Sequence, residues 1–211
     1  MPFLVENGIL VSYIPKENET VIRIPDEVEE IGDGAFSGCV YLTEVKLHSG
    51  IRRIGRDAFD CCYSLANIKA PAGLVVIEDG AFRDCVSLNP LPLPRTVSYI
   101  GEEAFAGCSA ATDALLPEGI TEIPSGAFRD CSGLREVSLP HGLRTIENEV
   151  FYGCMSLSEI RLPDSLEEVG EKAFYGCDSL KKISAPDHLE SFIGVPAGDC
   201  TVTLRAKGAL K

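Results

Sequence analysis

Apolar and polar residues alternate over Leu42-Thr43-Glu44-Val45-Lys46-Leu47, and the same alternation returns at a fixed distance along most of the chain. A two-residue period belongs to a pleated strand, so Val45 and Leu47 are predicted to point inward and Glu44 and Lys46 outward. Proline follows the strand at Pro25, Pro71, Pro94, Pro117, Pro140, Pro163 and Pro186, with His48 in its place once. Its fixed φ and missing amide end the strand. A second inward pair, such as Val28 and Ile31 or Ile120 and Ile123, then opens a return side. Next comes Gly126-Ala127-Phe128 or its equivalent, predicted as a single helical turn. The residue before the following cysteine is Gly38, Gly107, Gly153 or Gly176, or else Asp84 or Asp130. Both types tolerate the left-handed conformation that closes such a turn, and Cys61 is the exception.

The repeat interval is 23 residues, kept without a gap by Phe36, Phe59, Phe82, Phe105, Phe128, Phe151 and Phe174 and by Cys39, Cys62, Cys85, Cys108, Cys131, Cys154 and Cys177. A fixed period of this size predicts a solenoid of stacked coils. No coil can fold alone, because its phenylalanine, cysteine and leucine positions are covered only by the coils on either side. Nine parallel strands are expected from Ile22 to Leu204, spanning on the order of 40 Å at the usual strand spacing. At the start, Asn7-Gly8 between two apolar runs predicts a β-hairpin that covers the first coil. At the end, Leu189 and Phe192 begin an eighth coil without an Ala-Phe-x-x-Cys segment, and a shortened loop through Gly194, Pro196 and Gly198 leads to a capping strand at Thr201–Leu204. The expected organisation is one domain over 1–211, with a hairpin cap at 1–18, repeats at 19–185 and a C-terminal cap at 186–211.

Charge removes some partners. A net charge of -13 and a pI near 4.7 argue against a nucleic-acid backbone or an anionic membrane surface. Met1 to Ile14 lacks the charged and apolar regions of a signal peptide, and no apolar run is long enough to cross a bilayer. The expectation is a cytoplasmic protein, or an excised or mature part of a cell-surface protein. Nine cysteines invite a disulfide or zinc reading, but the spacing opposes both. The single close pair, Cys61 and Cys62, cannot comfortably share one metal. Stacked equivalent cysteines would lie roughly 4.8 Å apart with parallel side chains, whereas a disulfide needs Cβ atoms near roughly 3.8 Å. The seven column thiols are therefore expected to be reduced and buried, Cys61 and Cys200 to be the exposed ones, and no metal or cofactor is expected.

Written as Leu-x-x-Val-x-Leu-Pro-x-x-Leu-x-x-Ile-Gly-x-x-Ala-Phe-x-x-Cys, the repeat over Glu19 to about Phe192 resembles the BspA-like (treponemal type) class of leucine-rich repeat. The Asn-Gly hairpin with its Gly-Ile-Leu-Val run resembles that family's N-terminal element. The resemblance implies a right-handed leucine-rich-repeat solenoid with a concave parallel β-sheet that binds other macromolecules. It also implies bacterial cell-surface relatives linked to adhesion and host contact, and it carries over no catalytic residues.

If the concave sheet binds a protein, contacts come from the outward strand positions. These are Glu44 and Lys46, Asn67 and Lys69, Pro90 and Pro92, Asp113 and Leu115, Glu136 and Ser138, Glu159 and Arg161, then Lys182 and Ser184. Asn89-Pro90-Leu91-Pro92 puts two prolines where both withhold donors from one neighbouring strand, and the next repeat is thin inside at Ala111 and Ala114 and shows Leu115 outward. A flawed ladder with an apolar patch is the expectation there. Acidic residues near both ends, among them Asp26, Glu27, Glu29, Glu167 and Glu168, form no calcium-loop motif. The histidines His48, His141 and His188 fall in coils too far apart to meet, and no nucleophile or phosphate-loop motif occurs, so no enzyme is expected. A structural module that stacks or forms a homo-oligomer is the alternative to a binder.

Overall fold

The computed structural model describes residues 2–16, 18–189 and 200–206. Strands β1 (Phe3–Glu6) and β2 (Ile9–Tyr13) form the predicted antiparallel hairpin, with Asn7 and Gly8 both at positive φ (50° and 80°) in its tip. That pair of left-handed residues matches the twist of a two-residue hairpin. Each following coil carries a front strand and a shorter return strand. The first three coils hold β3 (Val21–Arg23) and β4 (Glu30–Ile31), β5 (Glu44–Lys46) and β6 (Arg53–Ile54), then β7 (Asn67–Ile68) and β8 (Val76–Ile77). The fourth has a return strand alone, β9 (Tyr99–Ile100). Coils five to seven hold β10 (Asp113–Leu115) and β11 (Glu122–Ile123), β12 (Glu136–Ser138) and β13 (Thr145–Ile146), then β14 (Glu159–Arg161) and β15 (Glu168–Val169). The chain closes with β16 (Lys182–Pro186), a short 3-10 turn at Asp187–Leu189, and β17 (Thr201–Arg205).

Two sheets result, each interrupted. The front side runs β3-β5-β7, β10-β12 and β14-β16-β17, all parallel, and the return side runs β1-β2-β4-β6-β8-β9 and β11-β13-β15. Eight of the nine expected front strands are therefore present among the described residues, and the one missing is the proline segment of coil four. Thr201 stands beside Lys182, a shorter step than the 23 residues of full coils, so the last turn is indeed abbreviated. Phe192, Gly194, Pro196 and Gly198 lie outside the described residues.

The return sheet has a visible cause for its interruption. At the residue just after each return strand, Gly32, Gly55, Glu78, Gly101, Glu147 and Gly170 donate their amides to the carbonyls of Leu10, Ile31, Ile54, Ile77, Ile123 and Ile146. Pro124 occupies the same position in coil five and has no amide to give Ile100. The ladder parts there, between β9 and β11.

Between the sheets lies one apolar core whose buried residues include no polar or charged side chain among those described. All seven column phenylalanines are fully buried and stack face to face, with ring centroids 4.9 Å apart at Phe36–Phe59 and 5.7 Å at Phe151–Phe174. Tyr13 extends that stack by one ring, 5.2 Å from Phe36. Burial raises the Tyr13 phenol to about 12 while its hydroxyl donates to Glu19 over 2.8 Å. The predicted helical turns are single turns. Ala35, Ser37 and Cys39 donate three residues back, to Gly32, Gly34 and Phe36, while Gly34 and Phe36 between them donate to the next coil, at Arg56 and Ala58. Gly34 and Gly38, four residues apart, both take positive φ, so the turn cannot continue as a helix.

The cysteine column does more than fill space. From Cys62 onward each thiol donates to the carbonyl of a phenylalanine in the coil before, Cys62 to Phe36 at 3.1 Å and Cys131 to Phe105 at 3.1 Å. A serine in that place would be shorter and more polar, whereas sulfur fills the gap and still satisfies one carbonyl. Burial pushes the thiols of Cys62, Cys131 and Cys177 up to about 12. Cys61 and Cys200 are half-buried; Cys200 precedes β17 beside Lys181, off the column. Thiolate is the reactive species, so a disulfide-exchange dye at pH 8 labels Cys61 and, more slowly, Cys200 in the folded chain. The seven column thiols react only after denaturant unfolds it. Labelling of more than two thiols without denaturant would contradict this assignment.

Candidate binding surface

The core absorbs the inward residues of every coil, which leaves the outward positions of the front sheet as a continuous array of side chains. Register fixes two rows of them. Val21, Glu44 and Asn67 stand side by side on β3, β5 and β7, as do Asp113 and Glu136 on β10 and β12, and Glu159, Lys182 and Thr201 on β14, β16 and β17. The second row, two residues further along each strand, holds Arg23 and Lys46, then Leu115 and Ser138, then Arg161 and Ser184.

Lys46, Asn67, Lys69, Pro90, Asp113, Leu115, Glu136, Glu159 and Arg161 are exposed as expected, and Glu44 is half-buried. Pro92 is not available: it is buried. The alternation that would have turned it outward holds only in a pleated strand, and residues 91–94 are not one. Leu93 instead donates to Leu91 over 2.9 Å, a tight local turn that folds Leu91 and Pro92 inward together. Leu115 is 69% exposed over the thin interior of Ala111 and Ala114, both buried.

Two depressions mark the front sheet where its ladder opens. One, about 530 Å³, is lined by Glu44, Val45, Lys46, Leu47, Asn67, Ile68, Lys69 and Pro90 beside the proline segment. The other, about 480 Å³, lies where β12 and β14 do not bond, and gathers Glu136, Glu159 and Arg161 with Val137, Ser158, Ile160, Lys182 and Ser184. Val137, half-buried in its floor, could not be singled out in the sequence, because its pattern position is that of any core residue. Asp113 and Leu115 sit on β10 and belong to neither depression.

Ion pairing is denser on the return side than on the front, where Arg23–Asp26, Lys46–Glu44 and Arg205–Asp164 are the pairs among the described residues. On the return side Arg53 reaches Glu30, Asp33 and Glu78 at 3.6, 3.2 and 3.1 Å, and Arg83 reaches Asp57, Asp60 and Glu103 at 3.0, 2.9 and 3.5 Å. On the front, Lys69, Arg161 and Lys182 make no ion pair among the described residues, and neither do Asp113, Glu136 or Glu159. A third opening, about 370 Å³, follows the parted return sheet at Pro124 and holds Asp79, Tyr99, Glu102, Glu122 and Glu147. There a hydrogen bond to Glu147 raises the Glu122 carboxyl, while bonds from Ser125 hold Glu147 low. The histidines stay in their own corners: His48 Nε2 is 3.0 Å from the Pro25 carbonyl, His141 Nδ1 3.0 Å from Glu118, and His188 Nε2 2.7 Å from the Leu166 carbonyl. Asp60, Cys61 and Asp84 bring one ligand atom each within 4.8 Å of one another, with Asp60 already held by Arg83. Among the described residues no helix is long and apolar enough to cross a membrane.

Comparison with known proteins agrees with this architecture. The family described as BspA type leucine-rich repeat region matches in six copies, over residues 14–135 and 98–195. A leucine-rich repeat protein of T. pallidum is similar at 35% identity and a TM-score of 0.74, covering 89% of this chain and 91% of its own. A leucine-rich cell surface protein of Faecalibacterium prausnitzii A2-165 is 29% identical at a TM-score of 0.74 over 86% of this chain, which spans 52% of that protein's structure. A leucine-rich repeat protein of Bacteroides ovatus is 26% identical at a TM-score of 0.61, covering 97% of this chain and 69% of its own. No functionally curated protein matches the chain.

Proposed function

The chain belongs to the BspA-type leucine-rich repeat family, and from that premise we propose that it is a non-enzymatic scaffold that holds a partner protein against the outward positions of its front sheet. The observation that carries this reading is the pair of depressions at the openings of that sheet, flanking exposed Leu115. Concave, partly apolar ground with a few polar groups at its rim is where a partner gains most on docking. Contacts fall to Glu44, Lys46, Asn67, Lys69 and Pro90 on one side of β10, to Asp113 and Leu115 on that strand itself, and to Glu136, Glu159 and Arg161 on the other side. Adhesion to a surface protein of a host or neighbouring cell is the finer reading, supported by the cell-surface description of the F. prausnitzii relative.

A photo-crosslinking amino acid tests the face. Placed at Ser138, exposed on β12, it captures the partner from a preparation of cell-surface proteins; placed at Arg144, exposed on the return side, it does not. Equal capture at both positions, capture at neither, or capture only of a second copy of the chain would overturn the proposal.

A further inference from the structure

The second outward row of the front sheet contains no carboxylate. It runs Arg23, Lys46, Lys69, then past buried Pro92 to Leu115, Ser138 and Arg161. In a chain with 32 carboxylate residues against 19 lysines and arginines, an acid-free row is a departure from the general composition. Arg53 and Arg83 on the far side are each held by three carboxylates, whereas Lys69 and Arg161, like Lys182 and Arg135, have no ion-pair partner among the described residues. Lys46 lies 3.9 Å from Glu44, and Arg23 pairs with Asp26 while both side chains stay more than two-thirds exposed. Exposed pairs of this kind contribute little and exchange readily for a better partner.

We propose that this row is the docking line for an extended acidic segment of a partner protein, laid across the coils with an apolar side chain seated on Leu115. The occupant's pattern follows from the spacing. Arg23 and Arg161 stand six coil steps apart, roughly 30 Å, which about nine residues of extended chain cover. Carboxylates occupy its first positions, opposite Arg23, Lys46 and Lys69. An apolar residue falls near the seventh position, four coil steps along, and a final carboxylate near the ninth, opposite Arg161, both on the face that the first position turns to the sheet. The net charge of -13 does not forbid this. At physiological ionic strength charges beyond about 8 Å are largely screened, so the acidic residues of the far face count for little; Glu44, Asp113, Glu136 and Glu159 of the first row stand two residues away on the same face and confine the segment's carboxylates to the second row. The proposal rests on the front sheet being the binding face and adds the chemistry of the partner.

Fluorescence anisotropy with a labelled nine-residue peptide tests it, carrying four acidic residues first, leucine seventh and glutamate ninth, titrated with the full chain in about 0.15 M salt. Saturable binding is expected, weakened at least tenfold by the double substitution Lys46→Glu and Lys69→Glu and several-fold by Leu115→Asp. Arg144→Glu on the return side leaves it unchanged. All four positions are exposed, and matching thermal melts confirm that the variants fold. Absence of saturation, or equal affinity in the double variant, would overturn the proposal. So would a sulfated oligosaccharide binding the Leu115→Asp chain as tightly as the parent, because the site would then recognise polyanions without the apolar seat. Capture at Ser138 combined with no peptide binding would retire the acidic chemistry and leave the front sheet as the binding face.

Discussion

Replacing Phe105 by alanine lowers the stability of the chain by about 3–5 kcal/mol, the range for removing a fully buried phenylalanine. Phe105 has no exposed surface, and its ring lies between those of Phe82 and Phe128, 5.5 Å from each. The loss falls on two contacts at once, because a solenoid holds together through the interfaces between successive coils. A void in the fourth coil also lies beside the proline segment, where no front-strand ladder exists to keep the neighbouring coils in register. For a chain of this length the melting temperature falls by roughly 6–20 °C. Leu115→Ala, at a side chain 69% exposed one coil away, changes stability by no more than about 0.5 kcal/mol. Circular dichroism melts of both variants make the comparison, and a Phe105→Ala chain melting within two or three degrees of the parent would mean that the ring stack is not what holds the coils together.

The stack was legible in the sequence because its signal is strict. Seven phenylalanines at one interval leave a solenoid as the physical solution, and the hairpin tip at Asn7-Gly8 is as local a signal as a sequence offers. The second sheet was not legible. Its strands in the repeats are two residues long, as at Glu30–Ile31 and Thr145–Ile146, too short for alternation to declare itself. They exist because the stacking imposed by the core brings like backbone to like backbone. Pro92 shows the opposite failure: the two-residue period assigned it outward with Pro90, but two missing amides abolish the strand on which that period depends, and only Pro90 is exposed. The thiol bonds to phenylalanine carbonyls were also out of reach, since they join residues of different coils through a carbonyl that every residue owns. On the candidate surface, the outward rows could be read from alternation alone, whereas the depression floored by Val137 depends on β12 and β14 failing to bond. The structure shows no sequence feature that accounts for that opening.

Gly101→Pro is expected to remove about 3 kcal/mol and to detach β9 from the return sheet. The glycine amide donates to the Ile77 carbonyl over 2.8 Å, and β9 has no other ladder, because Pro124 has already removed its bond to β11. The column itself grades the effect. Gly32, Gly55, Gly101 and Gly170 donate over 2.7–2.8 Å, whereas Glu78 and Glu147 at the same position donate over 3.0 Å. A Cβ on Gly101 would meet the Asp79 amide nitrogen at 2.2 Å, so any side chain there forces the coils apart, and proline adds the loss of the donor. Gly101→Ala accordingly costs about 1–3 kcal/mol, as overpacking does, and leaves β9 attached with a longer bond. Gly142, with nothing within 4 Å of its would-be Cβ, accepts alanine without loss. Hydrogen exchange reads the difference directly. In the proline variant the amides of Ser98 and Tyr99, which donate to the Val75 carbonyl over 3.0 and 3.4 Å, lose their protection while those of the Phe82 and Phe105 turns keep theirs. Unchanged protection at Ser98 and Tyr99 would show that stacking of the core, rather than the glycine amide, is what fixes the return strand.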